Sequence, residues 1–113
     1  MQAAKFLGLI QELAGLPAET EWVEFKMNRA EPEEIGQNIS ALSNSAALLR
    51  KHCGYIVWGI EDEGHKVVGT TFNPKQKKVG NEELENWLSR LLDPRIDIKI
   101  HEGDVEGKRV VVF

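Results

Sequence analysis

Apolar and polar positions alternate with two different periods along this chain, and the period marks the elements. Phe6, Ile10 and Leu13 recur at helical spacing and predict a helix over residues 2–14, stopped by Gly15 and Pro17. In "ETEWVEFK", residues 19–26, the period falls to two from Trp22 onward. Trp22, Val23 and Phe25 favour extended backbone, so a strand is expected with Val23 and Phe25 on one face. Trp22, Glu24 and Lys26 then share the other face. A second helix opens at "EPEE", where Pro32 suits the first helical position and Glu33 and Glu34 suit the positive end of the dipole. Ile35, Ile39, Leu42 and Ala46 continue it as one stripe, and the small residues of "ISALSNSAA" allow close packing on a sheet.

"GYIVWGI" is an apolar run of β-formers and reads as a central strand buried on both faces. "HKVVGTTF" is expected to return beside it as a hairpin, with residues 61–65 as the loop and Asn73 and Pro74 as the break. Asn81 reads as the N-cap of a third helix, with Glu82 and Glu83 in its first turn. Leu84, Trp87, Leu88 and Leu91 would line one face of that helix before "DPR" ends it. Two strands, "IDIKIH" and "KRVVVF", then flank a turn at "EGDVEG". The order α-β-α-β-β-α-β-β predicts an α+β fold, a mixed β-sheet packed with helices. Residues 1–113 read as one domain, and because the sequence stops inside an apolar strand, that domain is expected to be the N-terminal part of a longer protein.

Composition narrows the function classes. The longest apolar run is far too short for a bilayer, and the first residues lack the apolar core of a signal peptide. The one cysteine, Cys53, cannot form an internal disulfide, which fits a cytoplasmic setting. Net charge is −4, so the whole-chain field repels nucleic acid and anionic membranes alike. The charge is uneven: residues 1–64 hold five Lys/Arg against ten Asp/Glu, residues 65–113 nine against eight. Two local basic clusters stand out, Arg50 with Lys51, and Lys75 with Lys77 and Lys78. Either can contact phosphate, or simply be a solvated loop.

The acids Glu19, Glu24 and Asp62 form the sharpest chemical set. If the helix at 32–49 is a right-handed crossover between parallel strands, Glu24 and the end of the "GYIVWGI" strand approach each other. Three carboxylates on a concave surface suit a hard cation such as Mg²⁺ or Mn²⁺, which can orient water and offset charge on a phosphodiester. The alternative is structural: Glu19 caps a turn, Glu24 pairs with Lys26 and Asp62 shapes a hairpin. Glu19 and Glu24 have opposite parity, so an unbroken strand would separate them; they meet only if the chain curls before Trp22. His52 and Cys53, being adjacent, do not chelate one ion, and no phosphate loop or nucleophile elbow is present.

"ETEWVEFK", a helix ending "ISALSNS", and "GYIVWGIEDEGHKVVGT", in that order, resemble the Schlafen/AlbA-like DNA-binding domain family. The likeness covers nearly the whole chain. It implies a nucleic-acid-binding module of a bacterial transcriptional-regulator-like protein, with DNA or RNA as partner and no membrane. Lys26, Arg29, Asn44, Arg50, Lys51, Lys75, Lys77 and Lys78 are the expected contacts. In the animal members a related fold cleaves RNA with two glutamates and an aspartate, which fall on Glu19, Glu24 and Asp62; these would be both catalytic and metal-ligating, with Mg or Mn as cofactor. The family's glycine pair is reduced here to Gly54, and Leu42 stands where an aromatic is usual. Those animal proteins join two lobes into one groove, so a single lobe implies a homodimer. Dimerisation in service of a further region is the third reading.

Overall fold

The computed structural model describes residues 3–16, 22–51, 53–61, 66–91 and 98–113. Helix α1 spans Ala3–Ala14, strand β1 Val23–Lys26, helix α2 Pro32–Leu48 and strand β2 Tyr55–Trp58. Short strands β3 (Lys78–Val79) and β4 (Glu82–Glu83) precede helix α3 (Leu84–Leu91), and β5 (His101–Val105) and β6 (Lys108–Val112) close the order. The expected α+β class and its mixed sheet are present.

One sheet organises the molecule, in the order β1-β2-β6-β5. β1 and β2 run parallel, with Glu24 opposite Ile56 and Lys26 opposite Trp58. β6 pairs antiparallel with both β2 and β5. Because side chains alternate along each strand, the sheet offers two apolar faces. Val23, Phe25, Val57, Val110 and Val112 meet Phe6, Ile10 and Leu13 of α1. Ile56, Trp58 and Val111 meet Ile35, Ile39 and Leu42 of α2 and Leu84 and Leu88 of α3. The stripes predicted for α1 and α2 are thus the buried ones, and β2 is covered on both sides as its composition required.

Trp58 anchors the second face. It is fully buried, its ring centroid lies 4.7 Å from those of Phe72 and Phe113, and its indole N–H donates to the carbonyl of Arg29 at 2.8 Å. That bond ties the core to the loop leaving β1 and satisfies the one polar atom of an otherwise apolar side chain.

The structure corrects four local expectations. Among the described residues the hairpin after β2 is one bridge, Ile60 with Val67, beside which Glu61 N–H donates to Lys66 O at 2.9 Å, and it is bounded by Gly59 and Gly69 at φ of +107° and +85°. The chain then leaves to bond β6, Thr70 N–H donating to Arg109 O at 3.0 Å. Asn81 does not cap α3: with Gly80 (φ +64°) it turns the small β3 and β4 hairpin, so Glu82 and Glu83 are extended. Leu91 is exposed rather than part of the buried stripe of α3. The last hairpin turns only at Glu106 and Gly107, both at positive φ as a two-residue loop requires, so β5 occupies 101–105 instead of the expected 96–101. The "DPR" stop expected at 93–95 and the hairpin loop at 62–65 lie outside the described residues.

Gly103 explains how an apparent turn residue enters β5. A Cβ there would sit 2.8 Å from the Phe6 ring, so α1 packs on the sheet through the gap that glycine leaves. We predict that Gly103→Val destabilises the fold by about 1–3 kcal/mol in urea unfolding, through overpacking against Phe6. Pairing it with Phe6→Leu should recover part of the loss; strict additivity of the two changes would contradict this packing.

Candidate nucleic-acid interface

The loop leaving β1 carries two of the expected phosphate contacts, and both are already occupied. Lys26 is nearly buried and its Nζ donates to Glu34 Oε1 at 2.7 Å. The exposed Arg29 reaches the other oxygen, Nε to Oε2, also at 2.7 Å. Glu34 stands in the first turn of α2, where the helix dipole favours an anion. The hydrogen bond from Lys26, with the charges of Lys26 and Arg29, holds its carboxyl below the ordinary 4.5 against an opposing effect of burial. Glu34 is therefore ionised at neutral pH and neutralises much of this local positive charge.

Beside this cluster Asn28 fastens two loops together. Its Oδ1 accepts from Thr70 Oγ1 at 3.0 Å, Thr71 N–H at 2.9 Å and Thr71 Oγ1 at 3.2 Å. The Thr70 hydroxyl oxygen in turn accepts the Phe72 N–H at 3.1 Å. The clamp borders a depression of about 400 Å³ beyond the end of β1, lined by Arg29, Thr71, Asn73, Gln76 and Lys77 among others. Asn73 shapes the turn that follows, accepting the Lys75 N–H on its side chain and the Lys77 N–H on its carbonyl. Lys75 and Lys78 are exposed and Lys77 half-buried, and none of the three pairs with a carboxylate among the described residues.

The other basic pair lies at the opposite end of α2. Lys51 N–H bonds Ala46 O at 2.8 Å and Arg50 N–H bonds Ala47 O at 3.2 Å, the double closure of a Schellman ending. Arg50 occupies the left-handed position of that ending, φ +57°, where glycine is favoured. Lys51 places its Nζ 5.1 Å from the centroid of Trp22, a cation–π contact. Trp22 itself departs from the expected face: a turn there interrupts the alternation, and its ring packs on the α1 side near Tyr55 at 6.0 Å. It is half-buried and covered by Lys51. Asn44 is exposed, about 200° around α2 from both Leu42 and Ala46, and so faces solvent.

Of the three acids, Glu24 is exposed on β1 and makes no ion pair among the described residues. Glu19 and Asp62 lie outside the described residues. Among the described residues no three His, Cys, Asp or Glu side chains gather as a metal ion would require. Nor is any helix among them long and apolar enough to cross a membrane.

A mixed sheet covered by helices on both faces, with a parallel β-α-β unit at one edge, defines the class of domain. The chain belongs to the Schlafen, AlbA_2 family, whose pattern matches residues 19–113. It is similar in fold to the N-terminal domain of a protein from Nitrosomonas europaea related to the ATP-dependent DNA helicase RecG. That likeness has 21% identity and a TM-score of 0.57, over 99% of this chain and 71% of the other. It is also similar to the DIP2311 protein of Corynebacterium diphtheriae, at 18% identity over 96% of this chain. There the chain spans 22% of the relative's length, and a TM-score of 0.48 is too low to establish a common fold. Among curated proteins, none matches.

Sequence patterns missed Asn28 and Glu34 as the residues that organise this surface. Glu34 was visible only as a helix-start acid, and its bonds to two cations depend on the path of the β1 loop. Arg50 offers a test that separates fold from surface. Arg50→Gly should leave stability unchanged or raise it by up to about 1 kcal/mol in thermal unfolding, because glycine accepts the left-handed conformation freely. A clear loss of stability would show that Arg50 is kept for the fold instead.

Proposed function

We propose that this chain is a nucleic-acid-binding domain of a transcriptional-regulator-like protein, acting in the cytoplasm as a homodimer. The observation that carries the reading is the division of its cations. Lys26 and Arg29 are neutralised by Glu34, whereas Arg50, Lys51, Lys75, Lys77 and Lys78 pair with no carboxylate among the described residues. Arg50 and Lys51 lie just past the end of α2 at Leu48, and Lys77, with Lys75 and Lys78 near it in sequence, lines the same depression as Glu31 at the start of α2. At 1.5 Å per residue the helix separates these ends by about 25 Å, roughly seven base-pair steps of a duplex. Phosphates on one nucleic-acid backbone can therefore meet both ends. Membership in the Schlafen, AlbA_2 family and the relation of the Nitrosomonas protein to a DNA helicase support the same reading. A second copy would extend the surface beyond one lobe.

Contacts of this kind release counterions, so affinity should fall steeply with salt. In anisotropy titrations with duplex DNA and duplex RNA, changing Lys75, Lys77 and Lys78 together to Ala should flatten the log–log salt slope by roughly 2–3. Absence of salt-sensitive binding to either duplex by the unaltered chain would overturn the proposal.

A second reading rests on Glu24, an exposed carboxylate with no ion pair among the described residues. With Glu19 and Asp62 it would hold Mg²⁺ or Mn²⁺ for RNA hydrolysis, the ion supplying an activated water. Glu24→Ala should then abolish Mn²⁺-dependent RNA cleavage while leaving the unfolding curve in place. Equal cleavage by both proteins would exclude the role.

A further inference from the structure

A second depression, of about 820 Å³ and so larger than that beside the Asn28 clamp, lies at the opposite end of the sheet, where β2 begins and β6 ends. Its volume falls within the range of about 300–1,000 Å³ usual for small-ligand sites. The floor is apolar, formed by Leu42, Ile56 and Phe113 with Leu9 of α1. The rim is cationic: Lys5 from α1, Lys51 from the end of α2 and Lys99 from the segment entering β5. No carboxylate is among its described lining residues, in a chain whose net charge is −4. Three lysines drawn from three parts of the sequence around one cavity make it selective for an anion.

Polar groups between floor and rim narrow the chemistry. Tyr55, Ser43, Cys53 and His101 interleave with the apolar residues, unlike the continuous apolar wall that an acyl chain fills. Burial, with the neighbouring Cys53 thiol second, pushes the Tyr55 hydroxyl up, so it remains a protonated donor at neutral pH. Burial, followed by nearby positive charge that includes Lys99, holds His101 below its ordinary value, so the imidazole can offer a neutral hydrogen-bonding edge. Tyr55 and Phe113 present aromatic surface on the same cavity. An anion with a flat, hydrogen-bonding body matches this set: stacking on aromatic side chains, edge contacts to the polar groups and phosphate on the lysines.

We propose that this cavity binds a nucleoside phosphate, either a free mononucleotide or the phosphorylated end of a strand. The free-nucleotide form stands apart from the nucleic-acid reading, while the strand-end form rests on it. NMR titrations with AMP, adenosine and inorganic phosphate test the site directly. AMP is expected to shift the Tyr55 and His101 ring resonances and to bind at least about tenfold more tightly than adenosine or phosphate alone. Lys5→Ala with Lys99→Ala should remove most of that advantage, whereas the Lys75, Lys77 and Lys78 variant should bind AMP as the unaltered chain does. An oligonucleotide with a terminal phosphate binding better than its hydroxyl twin assigns the site to strand ends. AMP binding without that preference assigns it to free nucleotide. AMP no tighter than adenosine, an undiminished affinity in the Lys5 and Lys99 variant, or octanoate displacing AMP at equal concentration would overturn the proposal.

Discussion

Parallel pairing of β1 with β2 is the constraint from which the rest of the molecule follows. Two parallel neighbours cannot be joined by a tight turn, so the chain must cross the sheet and return, and α2 is that crossing. Its beginning is thereby fixed beside the end of β1 and its end beside the start of β2. Gly54 permits the return: a Cβ there would lie 2.9 Å from the Leu42 carbonyl oxygen, so backbone meets backbone where the helix hands over to the strand. With one face of the sheet taken by α2 and α3, the valines of the opposite parity are left for α1. Burial of that apolar surface, at about 25 cal/mol per Å², is what makes both layers necessary.

The same crossing places the charges. A chain of net charge −4 has no long-range attraction for phosphate, and at physiological salt charges are screened within about 8 Å. Only local arrangement then matters. At the start of α2 the dipole favours Glu34, and Glu34 in turn draws in Lys26 and Arg29. At its end the dipole favours cations, and Arg50 and Lys51 stand there without a carboxylate among the described residues. Lysines 75, 77 and 78 restore positive charge near the first end by a route independent of the helix. The loop bearing them is held by Asn28 and Asn73, so its cations are presented by a fastened turn.

What was legible in the sequence was whatever depended on periodicity. The stripes of Phe6, Ile10 and Leu13 and of Ile35, Ile39, Leu42 and Ala46 are buried as the spacing required. Val23 and Phe25 turn inward as the alternation implied. Expectations failed where a single residue's backbone conformation or a tertiary neighbour decided the outcome. Gly59 and Gly69 bound the hairpin that β-propensity favoured, and Gly80 made a turn where Asn81 resembled a cap. Gly103 entered a strand because Phe6, far away in sequence, needs the space. The ion pairs of Lys26 and Arg29, both expected as phosphate contacts, with Glu34 depend on the loop path and not on any sequence pattern. The basic clusters were visible as composition, but which cations are unpaired is a three-dimensional property.

The central claim is that unpaired cations at the two ends of α2, rather than the overall charge, make the binding surface. Backbone and lysine side-chain NMR shifts recorded while duplex is added at low salt test it most directly. The account predicts the largest changes at residues 50–51 and 75–78, with little at Lys26. Shifts concentrated on Lys26 and Glu34, or spread evenly over the surface, would contradict it.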